Sequence, residues 1–196
     1  MTAENPKSLR SRAPALICVD IQRGFEDEAY WGGNRNNRNA EAVCGVIIEK
    51  WRELGLDIFH IRHSSTNPES RLHASHPGFA FHPLAMPREG EPVLTKSVNS
   101  GFIGTNLQAM LDERGRDVVV IIGLTTDHCV STTTRMAGNL GYETLLVSDA
   151  VATFDKTGVD GEHFSAEIIH ATALASLNEE FARVLTADEL FAALQT

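Results

Sequence analysis

From Asp117 the chain reads Val-Val-Val-Ile-Ile-Gly-Leu to Leu124, with no polar side chain after the aspartate. β-Branched residues are stiff at χ1 and fit a pleated, packed surface, so this run predicts a strand. A strand apolar at every position cannot leave either face in water, so it belongs at the centre of a sheet covered on both sides. Ala15-Leu-Ile-Cys-Val-Asp20-Ile21 is a second run of the same kind, ending at a carboxylate. Shorter strands are expected at 56–63, 92–96, 143–148 and 182–185. Helical spacing of Val43, Val46, Ile47, Trp51 and Leu54 predicts a helix over 38–54, with Gly55 placed to end it. Further helices are expected over 105–114, 127–140 and 165–177, and from Ala187 onward. Strands alternating with helices imply right-handed crossovers and a three-layer α-β-α sandwich around a Rossmann-like, mostly parallel sheet.

The 196 residues suffice for one substantial domain, placed at 14–196, with 1–13 read as a flexible, solvated arm. A net charge of −9 disfavours nucleic acid and anionic membrane surfaces as partners. No run approaches the roughly 18 apolar residues of a membrane span. The three cysteines, Cys18, Cys44 and Cys129, form no CxxC, so a disulfide framework is not expected and a cytoplasmic setting is the default. Two connections stand out. Residues 23–37 form a Gly-rich loop with three aromatics, and 64–91 is a long proline-rich loop, a length that usually serves function.

In parallel sheets the active site lies at the carboxyl ends of the strands. Asp20 ends the first strand, Lys96 the third, and Cys129 follows the fourth. A thiol in the first helical turn feels the positive end of the helix dipole, which favours the thiolate. Free backbone N–H groups there can stabilise an oxyanion. A carboxylate and an ammonium flanking such a thiol would move its proton and lower its pKa. Against this stands the reading of Cys129 as a small buried hydrophobe, the role assigned to Cys18 and Cys44, and of Lys96 as a solvated surface lysine. Five histidines (His60, His63, His73, His76, His82) crowd one region, yet none has ligand spacing on a helix, and His60 and His63 face opposite sides of a strand. No metal and no cofactor are expected. His128 is assigned to the pocket wall rather than to base catalysis. Phe25, Tyr30 and Trp31 are candidates to flank a planar substrate, and Asn34 and the loop from Ser64 to His82 to give polar selectivity.

The run Ile121-Ile-Gly-Leu-Thr-Thr-Asp-His-Cys-Val130, continued through Arg135, Gly141-Tyr142 and Leu146-Val-Ser-Asp149-Ala150, resembles the nucleophile region of the isochorismatase-like cysteine hydrolase family. Ala15–Gln22 resembles that family's first strand, and Leu94-Thr-Lys96-Ser-Val-Asn-Ser-Gly-Phe102 its lysine segment. The similarity runs in register over roughly residues 14–186. It implies an Asp20, Lys96, Cys129 triad. It also implies a non-proline cis peptide at Leu124–Thr125, which turns the Thr125 N–H to join that of Cys129 as an oxyanion hole. The implied chemistry is attack on an amide or imide carbonyl, loss of ammonia or an amine, and hydrolysis of the thioester. Homodimers or homotetramers are implied as well.

Isochorismatases proper, which cleave a vinyl ether, resemble the chain in fold but typically lack the cysteine. Nicotinamidases share the Thr-Asp-His-Cys-Val run and add an Asp-x-His metal pair, where this chain reads Ile61-Arg62-His63-Ser64 without an aspartate. The leading expectation is therefore a hydrolase of small amide, ureido or carbamoyl, or lactam substrates. A nicotinamidase-like, metal-assisted amidase and a catalytically idle binding or redox-sensing homologue are the alternatives.

Overall fold

A computed structural model describes residues 8–195. Its elements are β1 (Ala15–Val19), α1 (Glu28–Trp31), α2 (Ala40–Leu54), β2 (Ile58–His63), β3 (Val93–Lys96), α3 (Leu107–Glu113) and β4 (Val118–Leu124). There follow α4 (Ser131–Asn139), β5 (Glu143–Ala152), β6 (Lys156–Thr157), β7 (His163–Phe164), α5 (Ala166–Leu177), β8 (Arg183–Leu185) and α6 (Ala187–Gln195).

Six strands make one sheet in the order β3-β2-β1-β4-β5-β8, and every pairing in it is parallel. β1 and β4, the two unbroken apolar runs, are its central strands and are buried throughout. Alternate side chains along them go to opposite faces. Leu16, Cys18, Val120 and Ile122 pack with Ile47, Ile48 and Trp51 of α2 and Leu190 and Leu194 of α6. Ile17, Val19, Val119 and Ile121 pack with Leu107 and Leu111 of α3, Ala137 of α4 and Leu177 of α5. Two helical layers thus cover a sheet with no polar face, which is the expected three-layer α-β-α sandwich. β5 runs past the strand expected at 143–148 to Ala152, after a register irregularity opposite Ile121–Gly123. Gly123 has φ 125°, and a Cβ there would collide with the Val19 carbonyl oxygen, so only glycine lets β4 lie this close to β1.

From β1 the chain winds out to β2 and β3, then crosses back to β4 on the other side of β1. The gap between the carboxyl ends of β1 and β4 is therefore a topological switch point. Loops at that end are built on side chains. In 23–37, read as a loop, Asp27 accepts from the Tyr30 N–H and so starts the short helix α1. In 64–91 two 3₁₀ turns, Pro77–Phe79 and Pro83–Ala85, each start at a proline. His76 and His82 cap them, their ring nitrogens accepting from the Gly78 and Leu84 N–H groups.

Glu91 secures the end of this loop ahead of β3. Its carboxylate accepts from Arg52 Nε and Nη2 of α2 at 2.7 and 2.8 Å, from the Arg88 N–H at 2.8 Å, and meets His60 Nε2 at 2.8 Å. Burial opposes its charge, but the Arg52 guanidinium and the other donors hold the carboxyl down at about 2. A carboxyl lowered on folding contributes stability above its ordinary value of 4.5, and that contribution drains away as pH falls toward 2. Glu91→Gln is expected to cost about 3 kcal/mol at pH 7. The loss should shrink below pH 4, and urea unfolding of both proteins across that range checks it.

At the amino end, residues 10–12 form a 3₁₀ turn, and Arg12 bonds Asp117 and Glu143 at the amino ends of β4 and β5. Residues 1–7 of the expected arm lie outside the described residues.

Candidate active site

Asp20 follows β1 with a left-handed backbone, φ 50°, which ends the strand. Its side chain is fully buried, and so is that of Lys96 at the end of β3. Lys96 Nζ donates to Asp20 Oδ2 at 2.6 Å, across the end of β2. The surface alternative for this lysine is thereby excluded. His63, the direct cross-strand neighbour of Lys96 in the β2–β3 register, stands beside the pair with Nδ1 at 3.2 Å from Lys96 Nζ.

Cys129 enters from the other side of the switch point. The helix expected over 127–140 is divided into a π-helical turn, Thr126–Val130, and the α-helix α4. Two N–H groups, those of His128 and Val130, share the Thr125 carbonyl at 3.2 Å, the second reaching back five residues and widening the turn. The peptide bond Leu124–Thr125 is cis. Thr126 is buried beneath this turn, its hydroxyl 3.0 Å from His170 Nδ1 of α5. One carboxylate oxygen of Asp20, one ring nitrogen of His63 and Cys129 Sγ lie within 4.8 Å of one another. Asn99, on the loop after Lys96, has Oδ1 3.8 Å from the sulfur.

Electrostatics correct one expectation. Burial pushes the Cys129 thiol up, and the Asp20 charge pushes the same way, against the pull of Lys96. Desolvation thus favours the thiol over the thiolate expected at a helix start. Burial likewise raises the Asp20 carboxyl against the attraction of Lys96. Its Oδ1 has no hydrogen-bond partner among the described residues, leaving one acceptor beside the sulfur. Burial, and then Lys96, lower His63, so its imidazole is neutral.

Above the sulfur lies a cavity of about 220 Å³. Phe25, Trp31, Leu72, His63, Thr125, His128 and Cys129 line it, with Ser65, Ser70, Asn99 and Lys156. Phe25 and Trp31 rings sit 4.8 Å apart, and the Trp31 indole N–H is occupied by the Gly24 carbonyl, so these rings present carbon to the cavity. Tyr30 stays outside, edge-on to Trp31 and under the Arg71 guanidinium. Asn34 is also elsewhere, bonded to Asp155. Reasoning from sequence weighed His63 only as a metal ligand and passed over Asn99 and Lys156, which enter the site through strand register and loop packing.

Among the described residues, Asp20, His63 and Cys129 are the group spaced to hold a metal ion. The Lys96 ammonium already lies among their donor atoms, 2.6 Å from Asp20 and 3.2 Å from His63, so a metal there would face a buried cation. The other clustered histidines have partners of their own: His60 with Glu91, His73 with Ser75, and His76 and His82 with backbone N–H groups.

Comparison with known proteins agrees with this fold. An isochorismatase domain model matches residues 14–189. The isochorismatase family protein YrdC of Bacillus subtilis is 47% identical over 176 residues, 90% of this chain and 93% of that protein. A crystal structure of an isochorismatase-family protein from Chromobacterium violaceum superposes with a TM-score of 0.90 at 42% identity, covering 97% of this chain and 99% of that one. N-carbamoylsarcosine amidase from Thermoplasma acidophilum is more distant, with a TM-score of 0.70 and 26% identity over 89% of this chain and 96% of that one.

Proposed function

Because the chain belongs to the isochorismatase family of hydrolases, we propose that it cleaves the C–N bond of a small amide, ureido or carbamoyl, or lactam substrate through a Cys129 thioester. The observation that carries this is the wholly buried Asp20–Lys96 pair, held at a switch point with the Cys129 sulfur in reach of the carboxylate. The resemblance of the fold to an N-carbamoylsarcosine amidase supports a carbamoyl or amide carbonyl as the target.

Each group then has a task. As the sulfur attacks the carbonyl carbon, Asp20 takes the S–H proton, for which its raised pKa suits it. The carbonyl oxygen, now an oxyanion, faces the backbone N–H groups of Thr125 and Cys129. The tetrahedral adduct collapses by breaking the C–N bond, and Asp20 returns the proton to the departing nitrogen. Water, deprotonated by Asp20, then opens the thioester and frees the acid, and the proton returns to sulfur. Lys96 fixes the Asp20 carboxylate, and His63 accepts a second Lys96 proton, which limits where the ammonium can point. Phe25, Trp31 and His128 bound the substrate. A cytoplasmic homodimer or homotetramer, acting without cofactor or nucleic-acid partner, completes the proposal.

A pH profile follows from Asp20. Its carboxylate form is required for attack, and burial raises its pKa, so kcat/KM should fall on the acid side at a pH above the ordinary carboxylate range. A rate that stays level down to pH 4 would count against Asp20 as the base. The direct test is release of ammonia or amine from a panel of small amides, ureas and lactams, with Cys129→Ala protein as the blank.

A further inference from the structure

We propose that the cavity above Cys129 is built for an anionic small amide, one whose end remote from the scissile carbonyl is a carboxylate held by Lys156. This rests on Cys129 being the nucleophile and names the substrate class for that site.

Lys156 is not a freely waving surface lysine. The segment 153–156 crosses the carboxyl end of the sheet and is fastened from three sides. The Thr153 N–H donates to Asn36 Oδ1 at 2.7 Å, and the Thr153 hydroxyl to Asp127 Oδ1 at 2.5 Å. Asp155 accepts from Asn34 Nδ2 at 3.1 Å and from the Ala166 N–H at 2.7 Å, and meets His163 Nε2 at 2.7 Å. The antiparallel pair β6–β7 continues from this anchor, with Lys156 opposite Phe164. The side chain is therefore directed to the cavity wall, where 27% of it stays exposed.

The charges of that wall set the sign of the occupant. No carboxylate is among its lining residues, and Lys156 is the lining residue that carries a full ammonium. Asp20 lies beneath and is paired with Lys96. Asp127 approaches from the π-turn, with Oδ1 taken by the Thr153 hydroxyl and Oδ2 3.5 Å from Lys156 Nζ and 3.4 Å from His128 Nε2. That contact steadies one side of the ammonium and leaves its other protons for the cavity. The Thr125 hydroxyl, buried in the same wall, has no hydrogen-bond partner among the described residues. Phe25 and Trp31 add carbon surface to the same lining. A cavity of about 220 Å³ equals roughly seven waters at about 30 Å³ each, room for a short acyl chain with a polar group at each end. A cationic amine would meet Lys156 with like charge, whereas a carboxylate gains a charge-assisted hydrogen bond.

The test separates binding from turnover. Succinamate and its neutral isostere 4-oxopentanamide are titrated by calorimetry into Cys129→Ala protein, which cannot consume them. Succinamate is expected to bind at least tenfold more tightly, with a preference that weakens as salt rises. Adding Lys156→Met should bring the two affinities to within a factor of two, and Lys156→Arg should restore the preference. Equal binding of the two compounds, binding of neither at millimolar concentration, or a preference untouched by Lys156→Met overturns the anion site. Should Lys156→Met fail to fold, the salt dependence in the protein that keeps Lys156 decides, and a salt-independent preference is fatal. Preferential succinamate binding without turnover by the wild-type protein would instead overturn the cysteine hydrolase and leave the anion site standing.

Discussion

Cys129→Ala is expected to lower kcat on any accepted amide by about 10⁴-fold or more, with little change in folding. Both halves of the reaction pass through the sulfur, and removing a nucleophile leaves only binding and oxyanion stabilisation, which act on a far slower attack by water. The structural cost is small because Cys129 lies at the cavity rim with 9% of its surface exposed, and its loss enlarges a space that is already open. Wild-type protein quenched during turnover should carry one acyl group on the peptide containing Cys129, detectable by mass, and the variant none. Turnover by the alanine variant near the wild-type rate would instead point to water activated directly, by Asp20 or by a metal held at Asp20 and His63.

Much of the frame behind this expectation is legible in the sequence. An unbroken run such as Val118–Leu124 has few options, and the structure buries every residue of it. Asp20 was legible for a related reason, since a carboxylate ending an all-apolar strand must lie where the strand leaves the sheet. Lys96 was harder, because nothing local distinguishes it from a surface lysine. Its burial depends on β3 pairing with β2, which carries the ammonium past His63 to Asp20. His63 has the same dependence, its role set by which residue lies across the ladder. Asn99 and Lys156 reach the cavity on irregular segments, and there the geometry comes from side chains such as Asp155 and Asn36 rather than from periodicity. The thiol misled for a different reason. A helix start announces itself in sequence, whereas the burial that pushes the Cys129 thiol up arises only when the whole switch point closes around it.

Breaking the Asp20–Lys96 pair should separate stability from chemistry. Both side chains are wholly buried and 2.6 Å apart. In such a site mutual attraction roughly offsets the desolvation of the two charges, so the intact pair adds little to stability compared with apolar residues. Removing one partner is another matter, because the survivor stays buried without compensation. Lys96→Met is expected to cost about 3–5 kcal/mol, and Asp20→Asn a similar amount, lessened to the extent that the amide oxygen still accepts from Lys96. The double variant, Asp20→Asn with Lys96→Met, removes both charges and should be more stable than the sum of the single losses predicts, by at least about 2 kcal/mol. Urea midpoints for the four proteins measure that coupling. Activity should follow a different pattern, since the proton transferred from sulfur needs a carboxylate whatever the stability. All three variants are expected to lose at least about 10³-fold in kcat, and the stability regained by the double variant should restore none of it. If the double variant instead recovered turnover along with its fold, the pair would be only a structural clasp, and the base that activates Cys129 would have to be sought elsewhere in the cavity.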